Sequence, residues 1–231
     1  MKLPLSPRLL TCCNYVNQGD RIADIGCDHG YLSIHLLQSG ISPRVIAADI
    51  NEQPLQSAMR NALKYGVRDK IRFCLSDGVK SIPRDFDALV CAGMGGDTMI
   101  SILSSAPWLK SPQYRLILQC QSKTPMLRKW LWEQGWQISR ETLVKDGKFV
   151  YSVMEVVYAP ESSAEPWHWY ISLPLLRERH PLLMEYYQRI RQGLRLQVDG
   201  LRRINSPELA QQELLLSQIE VLEAQIHDNG F

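Results

Sequence analysis

The stretch Asp24-Ile25-Gly26-Cys27-Asp28-His29-Gly30-Tyr31 sets two glycines, two carboxylates and an imidazole between an aliphatic run (Arg21 to Ile25) and a segment of helical spacing (Leu32 to Gln38). Glycines at a strand-to-helix turn let the backbone bend sharply and let a ligand approach the main chain at a helix N-terminus. The dinucleotide fingerprint GxGxxG, begun at Gly26, would require glycine at positions 28 and 31, and these hold Asp28 and Tyr31. A carboxylate at position 28 repels a pyrophosphate. Asp24 and Asp28 instead favour a ligand that has no phosphate and carries positive charge. S-adenosylmethionine, with an ammonium and a sulfonium, has that pattern, and NAD does not.

Two further acids follow. Asp49, with Ile50 beside it, ends a second aliphatic run where a carboxylate can take both ribose hydroxyls, and Asp77 follows a third run in Leu75-Ser76-Asp77-Gly78, where an acid can accept from an adenine amino group. Taken singly, each acid reads equally well as a helix cap or a solvated loop residue. In register on three successive runs they read as one binding edge. After a fourth run comes Ala92-Gly93-Met94-Gly95-Gly96-Asp97, expected as a loop whose backbone crowds against cofactor or substrate. The Asn/Asp-Pro-Pro-aromatic motif of many amino-methylating enzymes is absent there. The plainer alternative is a turn before a helix capped by Asp97.

The positioning elements are legible as alternation. Runs at Arg21 to Ile25, Arg44 to Asp49, Ile71 to Leu75, Ala88 to Cys91 and Tyr114 to Leu118 are nearly continuous in apolar character and are separated by helical segments, which predicts a parallel sheet covered on both faces. After a helical stretch around Pro125 to Gln134, Trp136 to Val144 and Phe149 to Tyr158 flank Asp146-Gly147, a hairpin signal. The fold expected is therefore α/β, Rossmann-like, with a mostly parallel sheet ending in an antiparallel hairpin. Small polar residues between Pro160 and Pro166 mark a linker, dividing a domain of residues 1–160 from an appendage of 161–231. In the appendage, Leu183, Tyr187, Ile190, Leu194 and Leu201, and then Leu215, Ile219, Leu222 and Ile226, keep three-four spacing. They predict a coiled-coil helical hairpin, turning at Asn205-Ser206-Pro207-Glu208 with Ser206 as cap and Pro207 at the first helical position.

Bulk properties exclude several classes. With 231 residues and 45% hydrophobic content, the chain can bury a sizeable core. No apolar stretch near Met1 forms a secretory signal and no window reaches membrane-spanning length, so a cytoplasmic protein without membrane contact is expected. Cys12, Cys13, Cys27, Cys74, Cys91 and Cys120 lack CxxC spacing and read as reduced core thiols; no metal is expected. A net charge of +2 is too small to mark a nucleic-acid binder by itself. Its distribution matters more: residues 175–204 hold seven arginines against three acids, and the second helix is acidic. Arg189, Arg191 and Arg195 on the first helix are expected to meet phosphates, the alternative being a solvated coiled-coil face or a dimer contact.

Together, Asp24 to Tyr31, Ala92-Gly93-Met94-Gly95-Gly96, Leu116-Ile117-Leu118-Gln119, Ser6-Pro7-Arg8-Leu9 and the helical tail resemble the bacterial tRNA (adenine(22)-N1)-methyltransferase family over essentially the whole chain. The resemblance implies a class I methyltransferase that uses S-adenosylmethionine to modify N1 of adenine 22 in tRNA. It implies cofactor contacts from Arg8, Asp24, Gly26, Asp28, Tyr31, Asp49, Ile50, Asp77, Gly78, Gly93 and Met94, with Gln119 toward the substrate. The family usually has Ser and Ala where this chain has Cys27 and Gly30, and often Gln-Pro-Asn at Gln119-Cys120-Gln121. Adenine N1 already carries a lone pair, so no general base is required; Asp28 is the first candidate to oppose the charge that develops on the base, and His29 the second. Competing expectations are methylation of a protein or small molecule with the hairpin as a dimerisation arm, and a non-catalytic RNA-binding module.

Overall fold

Every aliphatic run becomes a strand: β1 (Ile22–Ile25) and β2 (Val45–Asp49) are buried along their whole length, as a sheet covered on both faces requires, while the run Ile71 to Leu75 lies at the sheet edge and leaves Arg72 and Leu75 exposed. A computed structural model describes residues 3–160 and 165–228. In it, β1 (Ile22–Ile25), β2 (Val45–Asp49), β3 (Ile71–Leu75), β4 (Ala88–Gly95) and β5 (Arg115–Ser122) run parallel, and β6 (Trp136–Asp146) and β7 (Phe149–Tyr158) add an antiparallel edge. The order is β3-β2-β1-β4-β5-β7-β6. Strand order reverses beside β1, between β1 and β4, which opens a crevice at the carboxyl ends of those strands.

Helices α1 (Pro7–Cys13), α2 (Tyr31–Gln38) and α3 (Glu52–Lys64) cover one face, through Cys12, Ile34, Leu55, Ala58 and Ala62; α4 (Gly96–Ser104) and α5 (Thr124–Glu133) cover the other, through Met99, Ile102, Leu127 and Leu131. The spacing of Leu55, Ala58 and Ala62 is the buried stripe of an amphipathic helix. Ser6 caps α1 by accepting from the Leu9 N–H, with Pro7 at the first helical position. All six cysteines are free and buried.

Three local expectations change. Ala92 to Gly96 is not a loop: β4 continues to Gly95 through register shifts at Ala92/Met94 and Met94/Gly95, and α4 starts at Gly96 with no side-chain cap, Asp97 lying in its first turn. Pairing with β5 holds this glycine-rich segment extended, which local composition does not reveal. Asp146 belongs to β6, and the hairpin turns on Gly147 and Lys148, with Gly147 at φ 60°. The third change is at the helical hairpin.

There, α6 (Leu173–Glu178) leads into α7 (Leu183–Arg203) and α8 (Leu209–Asp228). α7 ends with Asn205 at φ 47° and bonds from Ser206 N–H to the Leu201 carbonyl and Asn205 N–H to the Arg202 carbonyl, a left-handed helix stop. Ser206 then accepts the Glu208 N–H on its hydroxyl and the Leu209 N–H on its carbonyl, so Pro207 lies in the turn and not in α8. The linker expected between Pro160 and Pro166 falls largely on residues 161–164, outside the described residues.

The helical part does not stand apart. Leu143 and Val150 of the β6–β7 hairpin pack with Ile171, Leu175, Tyr187, Leu194, Ile219 and Leu222 in one cluster. Beside it, Arg128 of α5 and Glu141 of β6 form a fully buried ion pair, completed by the Trp169 and Tyr170 carbonyls, the Ser172 hydroxyl and the Tyr186 hydroxyl. Burial works against the Arg128 charge, but Glu141 and Tyr186 outweigh it and hold its pKa above the ordinary arginine value. Breaking such a pair by removing one partner costs about 3–5 kcal/mol.

Candidate active site

The carboxyl ends of β1, β2 and β4 and the segment after β3 surround a cleft of about 780 Å³. Its walls include every residue the sequence assigned to the cofactor, Arg8, Asp24, Gly26, Asp28, Tyr31, Asp49, Ile50, Asp77, Gly78, Gly93 and Met94, together with His29. Asp97, Thr98, Ser101 and Gln121 also line it.

The floor is built at the glycine turn. Gly26 has φ 71°, and a Cβ there would lie 2.1 Å from the Met94 methyl, so the bulged end of β4 seats its Met94 side chain directly on the turn. Gly30 caps α2 at φ 71°, where a Cβ would stand 2.9 Å from that of Ala58. Glycine at position 30 therefore follows from the close approach of α3, and a larger residue would push that helix away. Between the two, Asp28 has φ 48°, a conformation that Asp tolerates better than most residues. Its side chain is 70% exposed at the cleft mouth, with one oxygen 3.7 Å from Nε2 of His29.

The acids differ in environment. Asp24, inside β1, is buried and accepts the Ser33 hydroxyl at 2.6 Å. Burial raises its pKa to about 6, the Ser33 hydrogen bonds oppose the rise, and nearby Asp49 adds to it. A buried carboxylate held this high gains from a cation brought into the cleft. Asp49 accepts the Asn51 N–H at 2.9 Å and the Asp28 N–H at 3.2 Å, which ties the end of β2 to the glycine turn. Each oxygen keeps a further lone pair for a hydroxyl. Asp77, at the rim, pairs with Lys80 at 2.5 Å. Among the described residues no group of His, Cys, Asp and Glu is placed to hold a metal ion.

Gln119 departs from expectation. It is completely buried: its carbonyl accepts from Arg8 Nη1 at 2.7 Å and from the Gly93 N–H at 3.1 Å, and its amide donates to the Cys120 carbonyl. It fixes Gly93 and Arg8 and does not line the cleft. Gln121, two residues on, does. With its amide turned, Gln121 accepts from Arg8 at 3.2 Å and donates to the Gly93 carbonyl at 3.3 Å. Arg8 is thus gripped by Gln119, Gln121 and, at 2.7 Å, Asp146 at the hairpin tip.

The three α7 arginines expected to meet phosphates divide. Arg191 pairs with Glu223 at 2.5 Å and Arg195 with Glu220 at 2.6 Å, both across the helical hairpin. Arg189, nearer the start of α7, is exposed, with its guanidinium 4.7 Å from the Phe149 ring centre.

The family described as a methyltransferase domain matches residues 5–154, which contain the whole cleft. The chain belongs to the methyltransferase-domain family. Within it, the tRNA (adenine(22)-N(1))-methyltransferase of Bacillus subtilis is 32% identical over 154 residues, covering 66% of this chain and 65% of that protein. The match therefore spans just under two thirds of that relative. Among solved structures, a protein of the NADB-Rossmann superfamily from Streptococcus agalactiae superposes with TM-score 0.86 at 28% identity, covering 96% of this chain and 98% of the other. A Streptococcus pneumoniae protein, provisionally a tRNA (m1A22) methyltransferase and solved with S-adenosyl-L-methionine, gives TM-score 0.81 at 26% identity, covering 93% and 99%. The helical appendage is thus shared with these structures, and the methyltransferase domain sits in the same Rossmann-like frame.

Proposed function

We propose that this methyltransferase transfers a methyl group from S-adenosylmethionine to N1 of adenine 22 in tRNA. The observation that carries the proposal is the cleft of carboxylates at Asp24, Asp28, Asp49 and Asp77 around a glycine turn, an edge that suits a cationic, phosphate-free cofactor. The likeness to the Bacillus subtilis tRNA (adenine(22)-N(1))-methyltransferase supports the choice of base. When bound, the cofactor supplies an electrophilic methyl carbon on sulfonium. Asp24 and Asp28 offset its positive charge, Asp49 offers acceptors to the ribose, and Asp77 with Gly78 borders the adenine end. Gly93 and Met94 close the floor.

Adenine N1 needs no proton removed, so the residues at the mouth orient and stabilise the base. Asp28 accepts from the exocyclic amine and opposes the growing positive charge, with His29 beside it. N1 lies on the pairing edge of the base, which must leave its stack before reaction; Met94 and Tyr31 offer it an apolar and an aromatic wall. In this proposal residues 1–160 form the catalytic domain and 161–231 an element that supports the RNA, with the protein acting in the cytoplasm. Among the described residues no helix is long and apolar enough to cross a membrane. Mapping methylated adenosines in tRNA incubated with the purified protein and cofactor tests the proposal: N1-methyladenosine at position 22 is expected, and methyl transfer to protein extract with none to tRNA overturns it.

A further inference from the structure

A second groove, of about 400 Å³, opens beside the cleft and shares Gln121 with it. Lys123 and Thr124 form one wall, Phe149 and Tyr151 of the hairpin tip another, and Arg189 of α7 the far end. The Phe149 and Tyr151 rings lie 6.0 Å apart, and Phe149 is 36% exposed, although it begins a strand whose next residue, Val150, is in the core. Two cations stand over this outlying ring, Arg189 at 4.7 Å and Lys148 at 5.3 Å. Neither has a carboxylate partner among the described residues, in contrast to Arg191, Arg195 and Arg202, each of which is paired. The shelf is also fixed relative to the cleft. Arg8, a cleft residue, lies 5.4 Å from the Tyr151 ring centre and bonds Asp146 next to the turn.

We infer that this groove receives a nucleotide next to the target adenine in the RNA strand, its base against Phe149 and Tyr151 and its phosphate toward Arg189 and Lys148. An exposed ring beside a half-buried one, with two cations that have no carboxylate partner, suits single-stranded RNA: every base has a face to stack, and every phosphate a charge to meet. The site rests on the tRNA reading of the cleft. It also gives that reading a mechanical element, since a base drawn out of its stack leaves a neighbour to be held.

The test uses the full chain and tRNA transcripts. Phe149→Ala is expected to raise the KM for tRNA about tenfold, while kcat and cofactor affinity stay within about twofold. Phe149→Tyr, which keeps a ring, should restore the KM and shows that the loss is not one of folding. Arg189→Ala should lower the slope of tRNA affinity against salt by about one phosphate contact. Of two transcripts, one abasic on each side of the target, the one that lacks the held base should cost wild type what Phe149→Ala costs, and that loss should not add to the Phe149→Ala loss. An unchanged KM in Phe149→Ala with active wild type overturns the groove alone. Wild type that leaves tRNA unmodified overturns the reading beneath it.

Discussion

The cleft and the helical hairpin respond differently to the same kind of residue. Around the cleft, acids from separate strands converge without a cation to neutralise most of them: Asp28 stays exposed at the mouth, and Asp24 and Asp49 are held by hydroxyl and backbone donors that leave further acceptor capacity for a ligand. Along the hairpin, opposite charges are brought together and neutralise one another: Arg191, Arg195 and Arg202 of α7 meet Glu223, Glu220 and Glu213 of α8 in antiparallel order. A charge count over residues 175–204 therefore overstates what the hairpin presents to RNA. Among the described residues of the hairpin, Arg189 is the cation left without a carboxylate partner beside the methyltransferase domain, over Phe149.

The sharpest way to break this contrast is at the cleft mouth. Asp28→Asn keeps the side chain's shape and removes its charge, so kcat should fall by about 10²–10³-fold, the scale of a lost transition-state stabiliser, with cofactor affinity within about threefold. Equal losses in both would make Asp28 a cofactor residue only. Next is the buried acid. Folding raises the Asp24 pKa from 3.8 to about 6, so between those values the free folded protein keeps a proton that the unfolded chain has released. The stability linked to that proton is complete below about pH 4 and is lost as pH rises through about 6. A cationic ligand prefers the ionised form. Cofactor affinity, followed by calorimetry, should weaken below about pH 6 by up to about tenfold per pH unit, and Asp24→Asn should remove that dependence.

At the hairpin the expected effects are smaller. Arg191→Ala removes a partly exposed pair worth about 1 kcal/mol or less, which should lower Tm by no more than about 2–4 °C. Its KM for tRNA should stay within about twofold, where loss of a phosphate contact would show in the salt dependence. A large rise in KM would return Arg191 to the RNA surface and erase the distinction from Arg189.

What was legible in the sequence follows the range of the interactions. The strands and the acids at their ends could be read because burial pattern and glycine turns are local properties. The role of Gln119 was not legible: it depends on Arg8 and Gly93, distant in sequence and joined only when α1 packs beside β4 and β5. Nor was the extension of β4 through Gly95, which needs the β5 register. The opposite charges of the two tail helices were visible, yet only the antiparallel alignment shows that three of the arginines are already engaged. Phe149 read as one more strand residue, since nothing nearby marks which face of a hairpin tip stays open.

The Arg128–Glu141 pair has a consequence for biosynthesis. Both residues precede their partners at Trp169, Tyr170, Ser172 and Tyr186 in the chain. A sheet emerging N-terminus first from the ribosome carries this charged pair before the groups that enclose it have been made. The catalytic half therefore reaches its final packing only when the helical end has been synthesised and has docked, and a chain released early exposes a half-solvated ion pair at the edge of its sheet.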